Sequence, residues 1–309
     1  MVASAAALFG TLSFITRQAD ELGMGALPFV TWRGIVGTLV MLVVSGLFTF
    51  RAYRSGTTGA AWLPRSNGLR LLVACLLGAV VNIAMFAAFV RTTIAVVLIC
   101  FYTFPALVTI FAVPFYGERL SRARMGALGL SAAGLILVVL SPVFTSSQVT
   151  LDPVGIGLAV GAALCQASFI LIAGRGFAPL SSARVATYAI FAAAAVALAL
   201  ALLVGDIAGL AVPLNEPQVW TWILLGGITG AAIPTTAFLA GIGLIGPSRA
   251  AILMTIEPIV GVTIAALLLG EQPLLLQIVG GVAVLVAAVI LQLAPRGRAA
   301  PEPEVAPLV

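Results

Sequence analysis

Tyr102-Thr103-Phe104-Pro105, followed by Phe115-Tyr116-Gly117-Glu118, has a partner 153 residues further on: Ile256-Glu257-Pro258, followed by Leu269-Gly270-Glu271. In both places the Gly-Glu pair comes 12 residues after the proline, and the chain has only these two Gly-Glu pairs. Each pair ends one long apolar run just before the next begins. Between Ala95–Val139 and Ser248–Gln292 only five of 45 aligned positions are identical, a fraction that means little in so apolar a chain. The shared placement of proline and Gly-Glu is what reads as an internal duplication.

Working outward from this pair, ten apolar segments can be marked: Val2–Thr16, Gly25–Phe50, Leu69–Val90, Ile94–Tyr116, Arg124–Leu140, Val154–Ala173, Ser182–Val204, Val219–Gly243, Ser248–Gly270 and Leu274–Leu293. A helix rising 1.5 Å per residue needs about 20 residues to cross ~30 Å of hydrocarbon, and most segments have them. Continuous apolar runs of this length exclude the alternating pattern of barrel strands. The breaks carry turn chemistry: Arg54-Ser55-Gly56, Ser141-Pro142, Ala178-Pro179, Pro213 to Pro217, Gly246-Pro247. Residues 295–309 are rich in Pro, Arg and Glu and read as a disordered cytoplasmic tail.

Composition agrees. Of 309 residues, 62% are hydrophobic and 8% charged, with a mean hydropathy of +1.21. A soluble domain carries about 25% charged residues. The solvent of this surface is therefore lipid. There is no His and no Lys, so the commonest general base and metal ligand is missing. Cys75, Cys100 and Cys165 sit singly in apolar runs and read as small buried hydrophobes. The net charge of +5 comes from Arg in short loops, which is not a nucleic-acid signature. The first segment has neither a basic leader nor a small-residue cleavage pattern, so a secretory signal is not expected. It is short for a span, and the expectation is that the first helix is trimmed or that the true start lies upstream.

With the N-terminus placed in the cytoplasm, twelve Arg fall in inside segments and only Arg17 and Arg91 outside; Arg33 lies within a span. That asymmetry predicts an inner-membrane, multi-pass protein with both termini cytoplasmic. The two halves, 1–140 and 154–293, hold five spans each. An odd number makes the second half run upside down relative to the first. The charges agree, since basic residues follow Gly117-Glu118 and none immediately follows Gly270-Glu271. The predicted fold is an all-α membrane protein of ten transmembrane helices in two inverted five-helix repeats. Such repeats are common in alternating-access transporters, with the site near the midplane between them.

The sequence resembles the drug/metabolite transporter superfamily, and within it the EamA-type transporters. The resemblance is carried by Tyr102-Thr103-Phe104-Pro105 with Phe115 to Leu120, by Ile256-Glu257-Pro258 with Leu269-Gly270-Glu271, and by Phe29-Val30-Thr31-Trp32-Arg33 in the second span. It covers the chain to about Leu293. It implies ten helices in two inverted halves and transport of metabolites such as amino acids, nucleosides or drugs.

Arg33 and Glu257 are the only charged residues well inside spans. An ionisable group at mid-bilayer costs about 2.5–3.5 kcal/mol on the insertion scale, so such groups face protein or water and mark function by default. Arg33 lies ~12 Å from the outer face and Glu257 ~14 Å from the inner one, by helix rise. Their levels differ by only a few Å, which permits a salt bridge or a shared substrate. A pair that merely locks two helices is the bland alternative. In the functional reading Arg33 holds a substrate carboxylate, and Glu257 holds an amine or a coupling proton. Beside Arg33, Glu257 would stay ionised. Asn82, Tyr102, Gln166, Thr235 and Thr236 are uncharged polar candidates for the pathway, with helix–helix hydrogen bonding as the alternative. Pro105 and Pro258, in mid-span, should kink their helices. Glu118 and Glu271 sit at hairpins before helix starts, where a carboxylate complements the helix dipole; a gating role is the minority reading. Gly157-xxx-Gly161 and Gly226-xxx-Gly230 read as close helix contacts.

These features predict a secondary transporter of small metabolites, amino-acid-like or drug-like, working by alternating access as a monomer or homodimer. Its expected partners are a small-molecule substrate, the lipid bilayer and, as a coupling candidate, protons. No cofactor, metal or nucleic acid is expected. The chain has no GxxxxGK[ST] loop for ATP and no catalytic set for an intramembrane enzyme. A channel or a non-transporting scaffold is the alternative.

Overall fold

The computed structural model describes residues 1–54, 65–92, 94–117, 121–141, 151–268 and 274–293, and all regular structure among them is helical. Glu118, Glu271, Gly270, the breaks at Ser55-Gly56 and Pro142, and the 295–309 tail lie outside the described residues. In chain order the first half holds α1 (Val2–Gly10), α2 (Leu12–Glu21), α3 (Ala26–Arg54), α4 (Arg65–Arg91), α5 (Ile94–Phe101), α6 (Phe104–Tyr116) and α7 (Arg122–Leu140). The second holds α8 (Pro153–Gly174), α9 (Ser182–Leu203), α10 (Ile207–Asn215), α11 (Val219–Gly227), α12 (Ile233–Ile245), α13 (Pro247–Leu253), α14 (Glu257–Leu268) and α15 (Leu275–Leu293). A π-helical turn, Ile228–Ala232, joins α11 to α12, and a 3₁₀ turn, Met254–Ile256, joins α13 to α14.

Among the described residues eight helical stretches are long and apolar enough to cross a membrane: Ala26–Leu47, Asn67–Phe89, Val96–Tyr116, Arg122–Leu140, Pro153–Gly174, Ser182–Leu203, Val219–Ile245 and Pro247–Leu268. They coincide with the second to ninth segments of the sequence. The first segment is helical but interrupted at Thr11, and the tenth contributes the shorter apolar stretch Leu275–Leu291. Large apolar side chains such as Leu42, Val43, Ile110, Leu203 and Val286 are exposed on the outside of the bundle. Apolar surface on that scale marks a body whose surroundings are lipid.

Four sequence expectations need correction. The first helical segment does not stop at Thr16. It continues as α2 to Glu21, with Arg17 and Glu21 paired at 3.6 Å one turn apart on its exposed face. Pro105 and Pro258 do not kink continuous helices. Each is the second residue of a new helix, α6 and α14, where the missing N–H is harmless; the span breaks just before it. The stretch Pro213–Pro217 is not simply a turn, since α10 runs through Pro213 to Asn215. Asp206 caps α10 by accepting from the Gly209 amide at 3.1 Å. The indoles of Trp32 and Trp220 donate to the Leu210 and Pro213 carbonyls, at 3.0 Å each. Finally, Gly157 and Gly161 make no close helix contact, because a methyl group at either would meet open space.

Close contacts occur elsewhere. Gly226 and Gly230 do lie tight against Phe29 and Leu12. α7 crosses α15 at Gly134 and Gly280, each backed by the other's carbonyl oxygen. α3 packs along α9 and α4 along α8, so the middle of the bundle is built from both halves. Gly117, which ends α6, has φ 61°, a left-handed conformation that accounts for glycine at this helix end.

Candidate functional site

A cavity of about 280 Å³ lies in the middle of the bundle. Its wall includes Phe9 and Leu12 from the first segment, Val30, Arg33 and Gly34 from α3, and Asn82 from α4. From the second half come Gln166 and Phe169 of α8, Ile190 of α9, Gly230 of the π turn, Thr235 and Phe238 of α12, and Glu257. Among the described residues none of α7 or α15 lines it. Five phenylalanines make much of the wall, so the few polar groups stand out as the means of orienting a ligand.

Of the candidates drawn from sequence, Arg33, Asn82, Gln166, Thr235 and Glu257 all line this one cavity. Tyr102 stands behind it. Its hydroxyl donates a hydrogen bond to the Glu257 carboxylate, and its ring packs at 5.8 Å from Phe104. The Asn82 amide donates to the Gly78 carbonyl at 2.9 Å, which leaves its oxygen available. The Gln166 and Thr235 side chains make no hydrogen bond among the described residues and are open to a ligand. Thr236 turns away, donating to the Ala232 carbonyl at 2.8 Å.

Arg33 and Glu257 share the cavity but form no ion pair with each other. Arg33 donates to the Gly230 carbonyl at 3.3 Å and lies 6.0 Å from the centre of the Phe29 ring. The Gly230 carbonyl is available for a local reason. In an α-helix it would accept from residue 234, and Pro234 has no N–H to give. The π turn at Ile228–Ala232 is the backbone's accommodation of that loss, as single π turns often are beside functional sites. The Gly226-xxx-Gly230 spacing marks Gly230 as a packing glycine; the signal for its carbonyl is the Gly230…Pro234 spacing, which removes the α-helical donor.

The two breaks supply the other elements of the site. Phe101 and Phe104 flank the turn at Tyr102-Thr103, while Met254 opens the 3₁₀ turn and Glu257 follows it; all four line the cavity. Under the 153-residue offset the pairs coincide, Phe101 with Met254 and Phe104 with Glu257. Gly10 lies so close to the Glu257 backbone that an added Cβ would sit 2.6 Å from its carbonyl oxygen. The absence of a side chain there lets the first segment close against the start of α14.

A protein solved by crystallography superposes on this chain with a TM-score of 0.74, covering 94% of this chain and 96% of that one, at 17% sequence identity. At that identity the likeness speaks to the fold alone. None of the curated proteins matches the sequence significantly. The model of the EamA-like transporter family matches twice, over residues 1–140 and 153–293. With helix after helix of membrane-spanning length and nearly the whole chain matched, this multi-pass membrane protein belongs to the EamA-like transporter family, within the drug/metabolite transporter superfamily.

Proposed function

We propose that the chain is a secondary transporter that carries small zwitterionic metabolites, amino-acid-like or drug-like, across the cytoplasmic membrane by alternating access. The observation that carries this reading is the cavity between the halves, with one cation and one anion on separate walls. Arg33, on the first half, offers a planar fork to a carboxylate. Glu257, on the second, offers an acceptor to an ammonium group or takes a coupling proton. Gln166, Thr235 and the Asn82 oxygen hydrogen-bond the remaining polar atoms, and the phenylalanines hold an apolar side group.

In this reading ten helices form two inverted halves, both termini are cytoplasmic, and the halves rock about the fixed site. A pathway lined by both halves of one chain supports a carrier over a pore, which is usually built from repeated subunits. The test is counterflow in proteoliposomes with labelled neutral amino acids. Saturable, gradient-driven exchange is the expected result. Arg33→Gln and Glu257→Gln proteins that insert normally should lose at least about tenfold in rate, the loss that follows from one charged hydrogen bond. Unchanged rates in both variants defeat the assignment.

A further inference from the structure

Each charge in the cavity is held by a group from the opposite half. Arg33 belongs to the first half and is bound by the Gly230 carbonyl of the second. Glu257 belongs to the second half and is bound by the Tyr102 hydroxyl of the first. Neither bond is a by-product of helix geometry. The first exists because Pro234 leaves Gly230 without its α-helical donor, and the second because the span breaks at Tyr102-Thr103. The Gly230 carbonyl holds Arg33 on the cavity wall, and the Tyr102 hydroxyl holds Glu257 from behind that wall. The carbonyl occupies the guanidinium as a carboxylate would, and the hydroxyl occupies the carboxylate as an ammonium would.

We propose that these two bonds are latches that hold the halves of the empty protein in one arrangement, and that a solute bearing both charges releases both at once. The proposal rests on the transporter reading above and adds regulation of the same site. A ligand carboxylate draws Arg33 from Gly230, and a ligand ammonium takes the place of Tyr102 on Glu257. The loaded protein then has no polar bond of its own from these two charges across the halves, while the empty one has two. Loaded carriers therefore change state more readily than empty ones, and exchange outruns net flow. Tyr102 and Pro234 act here as positioning residues.

Two variants cut one latch each and leave both charges in place. Tyr102→Phe removes the hydroxyl and keeps the ring. Pro234→Ala restores an N–H that competes for the Gly230 carbonyl. The first measurement needs no solute: spin labels at Ile94→Cys and Thr221→Cys, one in each half, in a background with the three native cysteines replaced by Ala. The distance distribution of the empty protein is then recorded in lipid nanodiscs. One dominant distance is expected in the parent, and a second discrete maximum in each variant. The second measurement is the ratio of exchange to net efflux of labelled phenylalanine from proteoliposomes. It should fall by at least several-fold in both variants, through faster return of the empty carrier. Distributions unchanged in both variants, or a general broadening with no second maximum, overturn the latch. Absence of saturable counterflow in the parent protein overturns the transporter reading instead, while the distance measurement still reports on the latch.

Discussion

The two span breaks occupy the same position in the two halves, yet they have parted in chemistry. Before Pro105 the chain makes a turn at Tyr102-Thr103 lined with aromatic rings, Phe101 lying 5.3 Å from Phe104. Before Pro258 it makes a 3₁₀ turn and places Glu257 where the first half has Phe104. The duplication has kept the backbone device and let the side chains diverge. A proline fits the first turn of a helix in either half, so the break before it is retained. The side chains at the break, in contrast, face one shared cavity and differ in charge, Phe104 on one side and Glu257 on the other. The scaffold is duplicated but the site is asymmetric.

The sharpest way to break this comparison is to equalise it. If Glu257 holds the ligand as proposed, Glu257→Leu should abolish counterflow, a loss of about a hundredfold or more, because apolar area does not replace a charged hydrogen bond. Phe104→Leu, at the equivalent position, should cost only a few-fold. Comparable losses would mean that the two breaks are functionally equivalent.

A smaller effect is expected from the contact that seats the charged break. Gly10→Ala places a methyl group 2.6 Å from the Glu257 carbonyl oxygen and 2.8 Å from Val260 Cβ. The residue equivalent to Gly10 in the second half is Ala163, which already carries a methyl group and is fully buried. Overpacking of this kind costs about 1–3 kcal/mol. Thermal unfolding in detergent should register it, with Ala163→Gly giving the opposite defect, a small cavity. An unchanged melting temperature for Gly10→Ala would show that α14 starts independently of the first segment.

A similar contrast separates the helix crossings. Gly134→Ala drives a methyl group to 2.6 Å from the Gly280 carbonyl and should loosen α7 against α15, again by about 1–3 kcal/mol. Gly157→Ala meets nothing within 4 Å and should be neutral, or stabilising by up to about 1 kcal/mol through helix propensity. The same thermal assay distinguishes them, and equal destabilisation would refute the packing difference. The smallest effect belongs to the exposed Arg17–Glu21 pair. Arg17→Gln should change stability by no more than about 1 kcal/mol and leave transport untouched.

Much of the fold was legible because its signals are local. Hydropathy marks a span over about 20 residues whatever the neighbours do. A proline twelve residues before Gly-Glu can be found by reading, and the left-handed end of α6 explains why Gly117 is glycine. Local signals also misled. Arg17 to Glu21 ended an apolar run without ending a helix. Pro213 suggested a turn, where an aspartate cap and two indole hydrogen bonds sustain α10. Gly157 and Gly161 have the spacing of a contact motif on a face that meets no other helix.

The sequence by itself determined that lipid is the solvent, that the chain is duplicated, which spans carry a proline, and that Arg33 and Glu257 need polar company, because each of these follows from composition or from covalent chemistry within a few residues. Only the tertiary structure decided which company they keep. Helix rotation and the approach of one half to the other brought Gly230, not Glu257, to Arg33. The same assembly brought Tyr102, not Arg33, to Glu257. A buried charge demands a partner, but which group answers depends on distances that no spacing along the chain can encode.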